Sequence, residues 1–96
     1  MSRVPKFKFR LYVAGNTENS LQALSNLTAL CEKHLANRYE LELVDVFRDP
    51  GRALTDRIFM TPTLVKLTPA PIQQIVGTLA QTSALMQAFG LGNLAI

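Results

Sequence analysis

The first half of the chain carries a strand–helix–strand pattern, which restricts the possible folds more than any other feature. Apolar and polar side chains alternate over residues 6–13, with the period of a strand that has two unlike faces. A helix is predicted next, from one apolar stripe at steps of three and four: Leu21, Leu24, Leu27, Cys31 and Leu35. Residues 39–47 are rich in strand-forming types, so we expect two parallel strands joined by a right-handed crossover.

The junction between the first strand and the helix is the segment Ala14 to Thr17. Gly15 gives the backbone freedom to turn there, and either Asn16 or Thr17 is expected to cap the helix.

The second half of the chain predicts shorter elements. A short helix is expected over residues 52–60, and Pro62 ends it because proline disfavours helical geometry in the residue before it. Two apolar runs, residues 63–67 and 72–76, predict a hairpin with a proline-containing loop.

A final helix is expected after a cap at Thr82 or Ser83. The resulting order βαβαββα is that of a thioredoxin-like α/β domain. A chain of 96 residues has room for one such domain, so we expect residues 1–96 to form it, with flexible ends at 1–5 and 91–96.

Charge is unevenly distributed along a chain whose net charge is +3. No ionisable side chain occurs from Leu67 to Ile96, so this segment is expected either in the core or under another subunit. No apolar run is long enough to span a bilayer, and a single cysteine forms no intrachain disulfide. A cytoplasmic protein with no membrane partner is expected.

Catalytic chemistry is not expected from these residues. Thioredoxin-like oxidoreductases need a Cys-x-x-Cys where this chain has residues 14–17, and that junction contains no thiol. Cys31 lies on the apolar stripe, where a buried inert thiol is expected, and His34 has no second histidine with which to share a metal. Gly15 alone does not build a phosphate-binding loop, so neither an enzyme nor a cofactor is predicted.

Nucleic-acid binding is also not expected, although basic residues flank Phe7 and Phe9. Strand alternation puts these aromatic rings on the face opposite Lys8 and Arg10, so the rings belong to the core and the basic side chains to solvent. The same alternation separates Glu40 and Glu42 from Asp45, which favours a solvated strand over a metal site.

Residues 11–20, Leu-Tyr-Val-Ala-Gly-Asn-Thr-Glu-Asn-Ser, resemble the signature of the KaiB family of bacterial clock proteins. The similarity continues through residues 44–46, 49–50, 60–64, 69–71 and 75–77. It covers about residues 7 to 90 in register.

The resemblance implies a non-enzymatic protein that binds the hexameric ATPase KaiC in a clock or stress-timing system. A KaiA-like protein or a clock histidine kinase are further implied partners. It also implies a homo-oligomer, a dimer or tetramer, and an alternative ground-state fold of the C-terminal half. The competing interpretation is a thioredoxin-like adaptor or sensor domain that keeps one fold and has no clock role.

Two sets of site residues follow from the resemblance. Partner contacts are expected along the second strand and first helix, at Lys8, Arg10, Glu42 and Asp45. A structural or fold-switching role is expected for Gly15, Asn16, Pro62, Pro69, Pro71, Gly77 and Thr78, and Thr61-Pro62 is expected to be a cis bond.

Several positions depart from the cyanobacterial members that the chain resembles. Basic residues are common there at Gln22, Glu42, Gln73 and Gln74, and an aspartate is usual at Thr78. The acidic C-terminal tail of those members is absent as well. We therefore expect a divergent or non-cyanobacterial member with a different partner surface.

Overall fold

The computed structural model describes residues 6–91, which form three helices and a four-stranded sheet. The elements are β1 (Phe7–Val13), α1 (Glu18–His34), β2 (Tyr39–Asp45), α2 (Pro50–Thr55), β3 (Thr63–Thr68), β4 (Gln73–Val76) and α3 (Thr82–Ala88). This order confirms the thioredoxin-like βαβαββα prediction. Of the expected flexible ends, residues 1–5 and 92–96 lie outside the described residues, whereas Leu91 is buried.

The strands lie in the order β2-β1-β3-β4. β1 and β2 are parallel, as the strand–helix–strand pattern predicts, while β3 runs antiparallel to both β1 and β4. β2 and β4 are therefore the two edge strands.

The two faces of the sheet carry cores of unequal size. The main core lies under α1 and α3, and its β1 members are the residues predicted for that face: Phe7, Phe9, Leu11 and Val13. Phe89, directly after α3, packs against Phe9, with ring centroids 4.9 Å apart. The opposite face carries a smaller core beneath α2, made of Tyr12, Val44, Ala53 and Val65.

Thr17, rather than Asn16, caps α1. Its Oγ1 accepts a hydrogen bond from the Ser20 backbone N–H at 3.4 Å and donates to Ser20 Oγ at 2.8 Å. The buried Ser20 Oγ in turn accepts a hydrogen bond from the Ala14 backbone N–H. This bond ties the first turn of α1 to the end of β1. Leu21, predicted to lie on the buried stripe, is consequently exposed.

The other element boundaries differ from the predictions for local reasons. β2 ends at Asp45 rather than residue 47, because the Asp45 carboxylate accepts from the Phe47 N–H and turns the chain. α2 begins at Pro50, a residue favoured at the first helical position, and ends at Thr55 because Arg57 adopts a positive φ of 57°. α3 starts at Thr82 itself, with Gln81 in the cap position.

The β3–β4 loop is organised around a buried lysine. Lys66 is only 2% exposed, and its Nζ donates to the carbonyl oxygens of Pro69 and Pro71, the latter at 2.9 Å. Burial lowers the pKa of this ammonium. The peptide bonds preceding Pro62, Pro69 and Pro71 are all cis.

The uncharged segment divides between interior and surface within its described part, residues 67–91. Leu79, Leu85 and Phe89 belong to the main core, whereas Ile72 and Val76 are exposed at β4. Part of this segment thus lies in the core, as one of the two alternatives predicted, and the exposed part is the surface that the other alternative places under another subunit.

Candidate functional site

A network of charged and hydroxyl side chains, here called the polar cluster, links α2 to the sheet. Its members are Arg10 and Tyr12 of β1, Glu42 of β2, and Arg52 and Asp56 in and just after α2. Arg10 donates to Glu42 Oε1 at 3.0 Å and to Asp56 Oδ2 at 2.9 Å. Tyr12 donates its hydroxyl proton to Asp56 and also reaches the Arg52 carbonyl oxygen at 3.3 Å.

These contacts shift the pKa values of the cluster's acidic groups. Hydrogen bonds from Arg52 and then Arg10 lower the pKa of Glu42 to about 2. The hydrogen bond from Tyr12, assisted by Arg10, lowers the pKa of Asp56. Burial, together with the Asp56 carboxylate, raises the pKa of Tyr12. The cluster is therefore charged and mutually neutralising at neutral pH.

The structure brings together two of the four expected partner contacts. Arg10 and Glu42 meet in the polar cluster, so Arg10 is half-buried rather than solvent-facing as predicted. Lys8, two residues before Arg10 in β1, is exposed on the same face of the sheet. Asp45 lies on the opposite face, as strand alternation predicts.

Asp45 has a structural task at the junction after β1. Its Oδ1 accepts from the backbone N–H of Gly15 at 3.2 Å and from that of Phe47 at 2.9 Å. Gly15 has a φ of +59°, a conformation that L side chains rarely adopt. The carboxylate thus holds the two turns after β1 and β2 side by side, while Asn16 is exposed beside them.

The remaining expected structural residues lie at the end of the β3–β4 hairpin. Gly77 has a φ of +119° and donates its backbone N–H to the carbonyl oxygen of buried Pro62 at 2.9 Å. The carbonyl oxygen of Thr78 accepts from Asn26 Nδ2 at 2.8 Å, which ties the segment after β4 to α1.

Sequence reasoning did not identify an exposed apolar surface, here called the apolar rim, made of Phe47, Phe59 and Met60. Phe47 and Phe59 are 74% and 85% exposed, and Met60 is also exposed. The three side chains line one crevice of about 220 Å³ with Ala14 at the carboxyl end of β1. The sequence pattern predicted Phe47 in a strand and Phe59 in a helix. The available signal for an exposed surface was that both apolar residues lie close to turn-forming residues.

Two exposed arginines accompany the apolar rim in the sequence. Arg48 follows Phe47, and Arg57 lies two residues before Phe59. Positive charge is therefore close to the apolar rim along the chain, although Arg48 itself lines a different crevice, with Asp45 and Asp49.

Neither a reactive thiol nor a metal-binding group of side chains is found among residues 6–91. Cys31 is buried, and burial raises the pKa of its thiol to about 12, so the thiolate nucleophile is not available near neutral pH. Within this range, no three His, Cys, Asp or Glu side chains are grouped so as to hold a metal ion. The described helices also include none with the length and apolarity needed to cross a bilayer.

Comparison with known proteins decides the family. The model of the KaiB domain matches residues 10–90. The chain belongs to the KaiB family. It is 39% identical over 77 residues to circadian clock protein KaiB3 of Synechocystis sp., covering 80% of this chain and 76% of that protein. It is 40% identical over 80 residues to the circadian clock oscillator protein KaiB of Thermostichus vulcanus, covering 83% and 74%.

Solved structures place this KaiB-family chain in the thioredoxin-like fold. The Drosophila melanogaster thioredoxin Deadhead superposes with a TM-score of 0.71 at 16% identity, covering 88% of this chain and 80% of that one. The N-terminal domain of Synechococcus elongatus SasA gives 0.68 at 21% identity, covering 100% and 90%. At these identities the likeness concerns the fold alone.

Proposed function

We propose that this chain is a non-enzymatic KaiB-type regulatory subunit that binds a KaiC-like hexameric ATPase in a clock or stress-timing system. Membership of the KaiB family supports the type of partner. The observation that carries a contact function is the apolar rim, because Phe47 and Phe59 expose most of their aromatic surface at one crevice. Exposed apolar surface of this kind marks interaction sites.

The proposed contact surface combines the apolar rim with the outer edge of β2. Aromatic and methionine side chains supply contact area, and Arg48 and Arg57 favour a partner surface with acidic residues. Lys8 and Glu42 contribute direct polar contacts from the sheet. Arg10 and Asp45 support this surface without contacting the partner. Arg10 holds Glu42 in place, and Asp45 holds the junction at Gly15 in place.

A pull-down against a KaiC-type ATPase from the same organism, after long incubation, tests the proposal. We expect Phe59→Ser to weaken binding by about tenfold or more, as for an interface hot spot. Leu54→Ser is the matched control, because Leu54 is an exposed apolar residue of α2 outside the crevice. Glu42→Lys restores the basic residue common in the cyanobacterial members and is expected to alter affinity.

If neither the wild-type chain nor the Glu42→Lys variant binds the ATPase, the ATPase proposal is wrong. A KaiA-like protein and a clock histidine kinase are further proposed partners, to be tested in the same format. Equal weakening by Phe59→Ser and Leu54→Ser would remove the apolar rim from the proposal while leaving the partner in place.

The second candidate is a thioredoxin-like adaptor or sensor domain that keeps a single fold. Its support is the SasA N-terminal domain, which matches the whole chain in the thioredoxin-like form with a TM-score of 0.68. Backbone NMR spectra separate the two candidates. Two exchanging sets of peaks would exclude the single-fold adaptor, and one set would favour it.

A further inference from the structure

Met60 carries the most accessible sulfur atom among residues 6–91. The other two sulfur-bearing residues in this range are Cys31 and Met86, which belong to the main core and are 0% and 9% exposed. Met60 is 62% exposed and lies outside both cores. A dissolved oxidant therefore reaches the Met60 thioether directly, whereas the other two sulfurs become accessible only when the fold opens.

The backbone holds Met60 at this exposed position. The hydroxyl of Thr63, a residue only 2% exposed, donates to the Met60 carbonyl oxygen at 2.6 Å. Because Thr63 is the first residue of β3, this bond fixes Met60 relative to the sheet, while its side chain lines the crevice of the apolar rim. A chemical change at the Met60 sulfur therefore alters the surface and leaves the packing of both cores intact.

We propose that Met60 is a site of reversible oxidation by hydrogen peroxide, and that its sulfoxide removes the apolar rim as a contact surface. A sulfur lone pair attacks one peroxide oxygen, so that an S–O bond forms as the O–O bond breaks. The departing hydroxide takes the proton of the transferred hydroxyl and leaves as water, and the sulfur has lost two electrons to the peroxide. A methionine sulfoxide reductase reverses the change with two electrons from a pair of thiols, and the oxygen leaves as water.

The sulfoxide oxygen changes what the apolar rim contacts favourably. This oxygen is a hydrogen-bond acceptor, and an apolar partner surface offers it no donor. Phe47 and Phe59 line the same crevice as Met60, so the oxygen enters the surface on which the aromatic rings are exposed. The effect on ATPase binding rests on the proposed function, whereas the oxidation site does not.

Tryptic peptide mapping of the folded chain, after timed exposure to hydrogen peroxide, tests the site of oxidation. Cleavage after Arg57 and Lys66 places Met60 in peptide 58–66 and Met86 in peptide 67–96, because no lysine or arginine follows Lys66. Met60 is expected to gain one oxygen atom at least about tenfold faster than Met86. In concentrated urea the two rates should become similar. Equal rates in the folded chain would overturn the proposal.

Hydrophobic-interaction chromatography of the folded chain tests the loss of apolar surface. Peroxide should shorten the retention of the wild-type chain, and a methionine sulfoxide reductase should restore it. Met60→Leu is the matched variant, because it conserves the side-chain volume, lacks the sulfur and keeps Met1 and Met86. Circular dichroism establishes that each sample is folded. A wild-type retention that peroxide leaves unchanged, or an equal shift in Met60→Leu, would contradict the role of Met60.

The pull-down against the KaiC-type ATPase measures the effect on contact, with the peroxide destroyed before the ATPase is added. The oxidised wild-type chain is expected to bind about tenfold more weakly than the reduced chain, whereas peroxide should not change the affinity of Met60→Leu. Equal binding by the oxidised and reduced wild-type chains would overturn the proposed effect of the sulfoxide. If the reduced chain itself does not bind, the proposed function is wrong, and the peptide map and the chromatographic retention decide the oxidation proposal without it.

Discussion

Glu42 and Arg52 are joined by two guanidinium–carboxylate contacts, at 2.6 and 2.7 Å, across the gap between β2 and α2. Arg10 approaches the same carboxylate from β1. One glutamate therefore ties a helix to two neighbouring strands, on the face where the apolar core is small.

Glu42→Gln should lower the free energy of unfolding by roughly 1 kcal/mol, a value near the upper end for exposed ion pairs because this pair belongs to a network. Urea denaturation measures the change. Glu40→Gln is the matched control, since Glu40 makes a single exposed pair with Lys6 on the same strand. A larger loss for Glu40→Gln than for Glu42→Gln would contradict the role of the polar cluster.

Stability should fall in acid as the polar cluster becomes protonated. The folded-state pKa of Glu42 is about 2, below its ordinary value of 4.5, so its contribution is present above about pH 4.5 and is lost as the pH falls toward 2. Asp56, whose pKa is also lowered, acts in the same direction. Unfolding free energies measured from pH 7 to pH 2 should decline less steeply in Glu42→Gln than in the wild-type chain, and parallel curves would refute this.

Tyr12→Phe should destabilise the fold by about 1–3 kcal/mol, because the buried hydroxyl donates to a half-buried carboxylate that loses its partner. The pKa of Asp56 should rise toward its ordinary value, since the Tyr12 hydrogen bond is the main cause of its lowering. Urea denaturation and an NMR titration of Asp56 provide the two measurements.

Tyr39→Phe is the comparison for Tyr12→Phe. The Tyr39 hydroxyl donates to exposed Glu32 at 2.5 Å, so its loss should have little effect on stability. An unchanged Asp56 pKa in Tyr12→Phe would show that the hydroxyl does not control the carboxylate.

Gly15→Ala should cost about 1 kcal/mol through its positive φ of 59°. Crowding is not the cause, because an added Cβ would meet Phe47 at an ordinary 3.8 Å. Gly51→Ala is the control: Gly51 lies within α2, has open space around it, and should gain stability from the higher helix propensity of alanine. Thermal unfolding of both variants checks the opposite signs.

The regular parts of the fold were predictable from local pattern alone. The alternation of β1 and the stripe of α1 placed Phe9, Leu27 and Cys31 in the core, because both elements bury one continuous face. α2 was misplaced by two residues at its start and five at its end, because its end depends on the positive φ of Arg57 rather than on a turn residue.

The candidate site was only partly predictable. Arg10 and Glu42 were singled out, and their register across β1 and β2 follows from the parallel pairing. Asp56 was missed because it joins the polar cluster only when α2 folds back over the sheet, a long-range contact without a local signal. The apolar rim was missed for a similar reason, since only the tertiary structure brings Phe47 and Phe59 to the same crevice.

Lys66 of β3 makes the β3–β4 loop resemble a chelate, in which two carbonyl oxygens of the loop bind one ammonium. A neutral side chain of equal length would fill the same volume but leave both oxygens without a donor. Acetylation of Lys66, which removes the charge and leaves one N–H, would release at least one of the two oxygens. The shape of the hairpin tip therefore depends on a Lys66 ammonium that is protonated and unmodified, although solvent hardly reaches it.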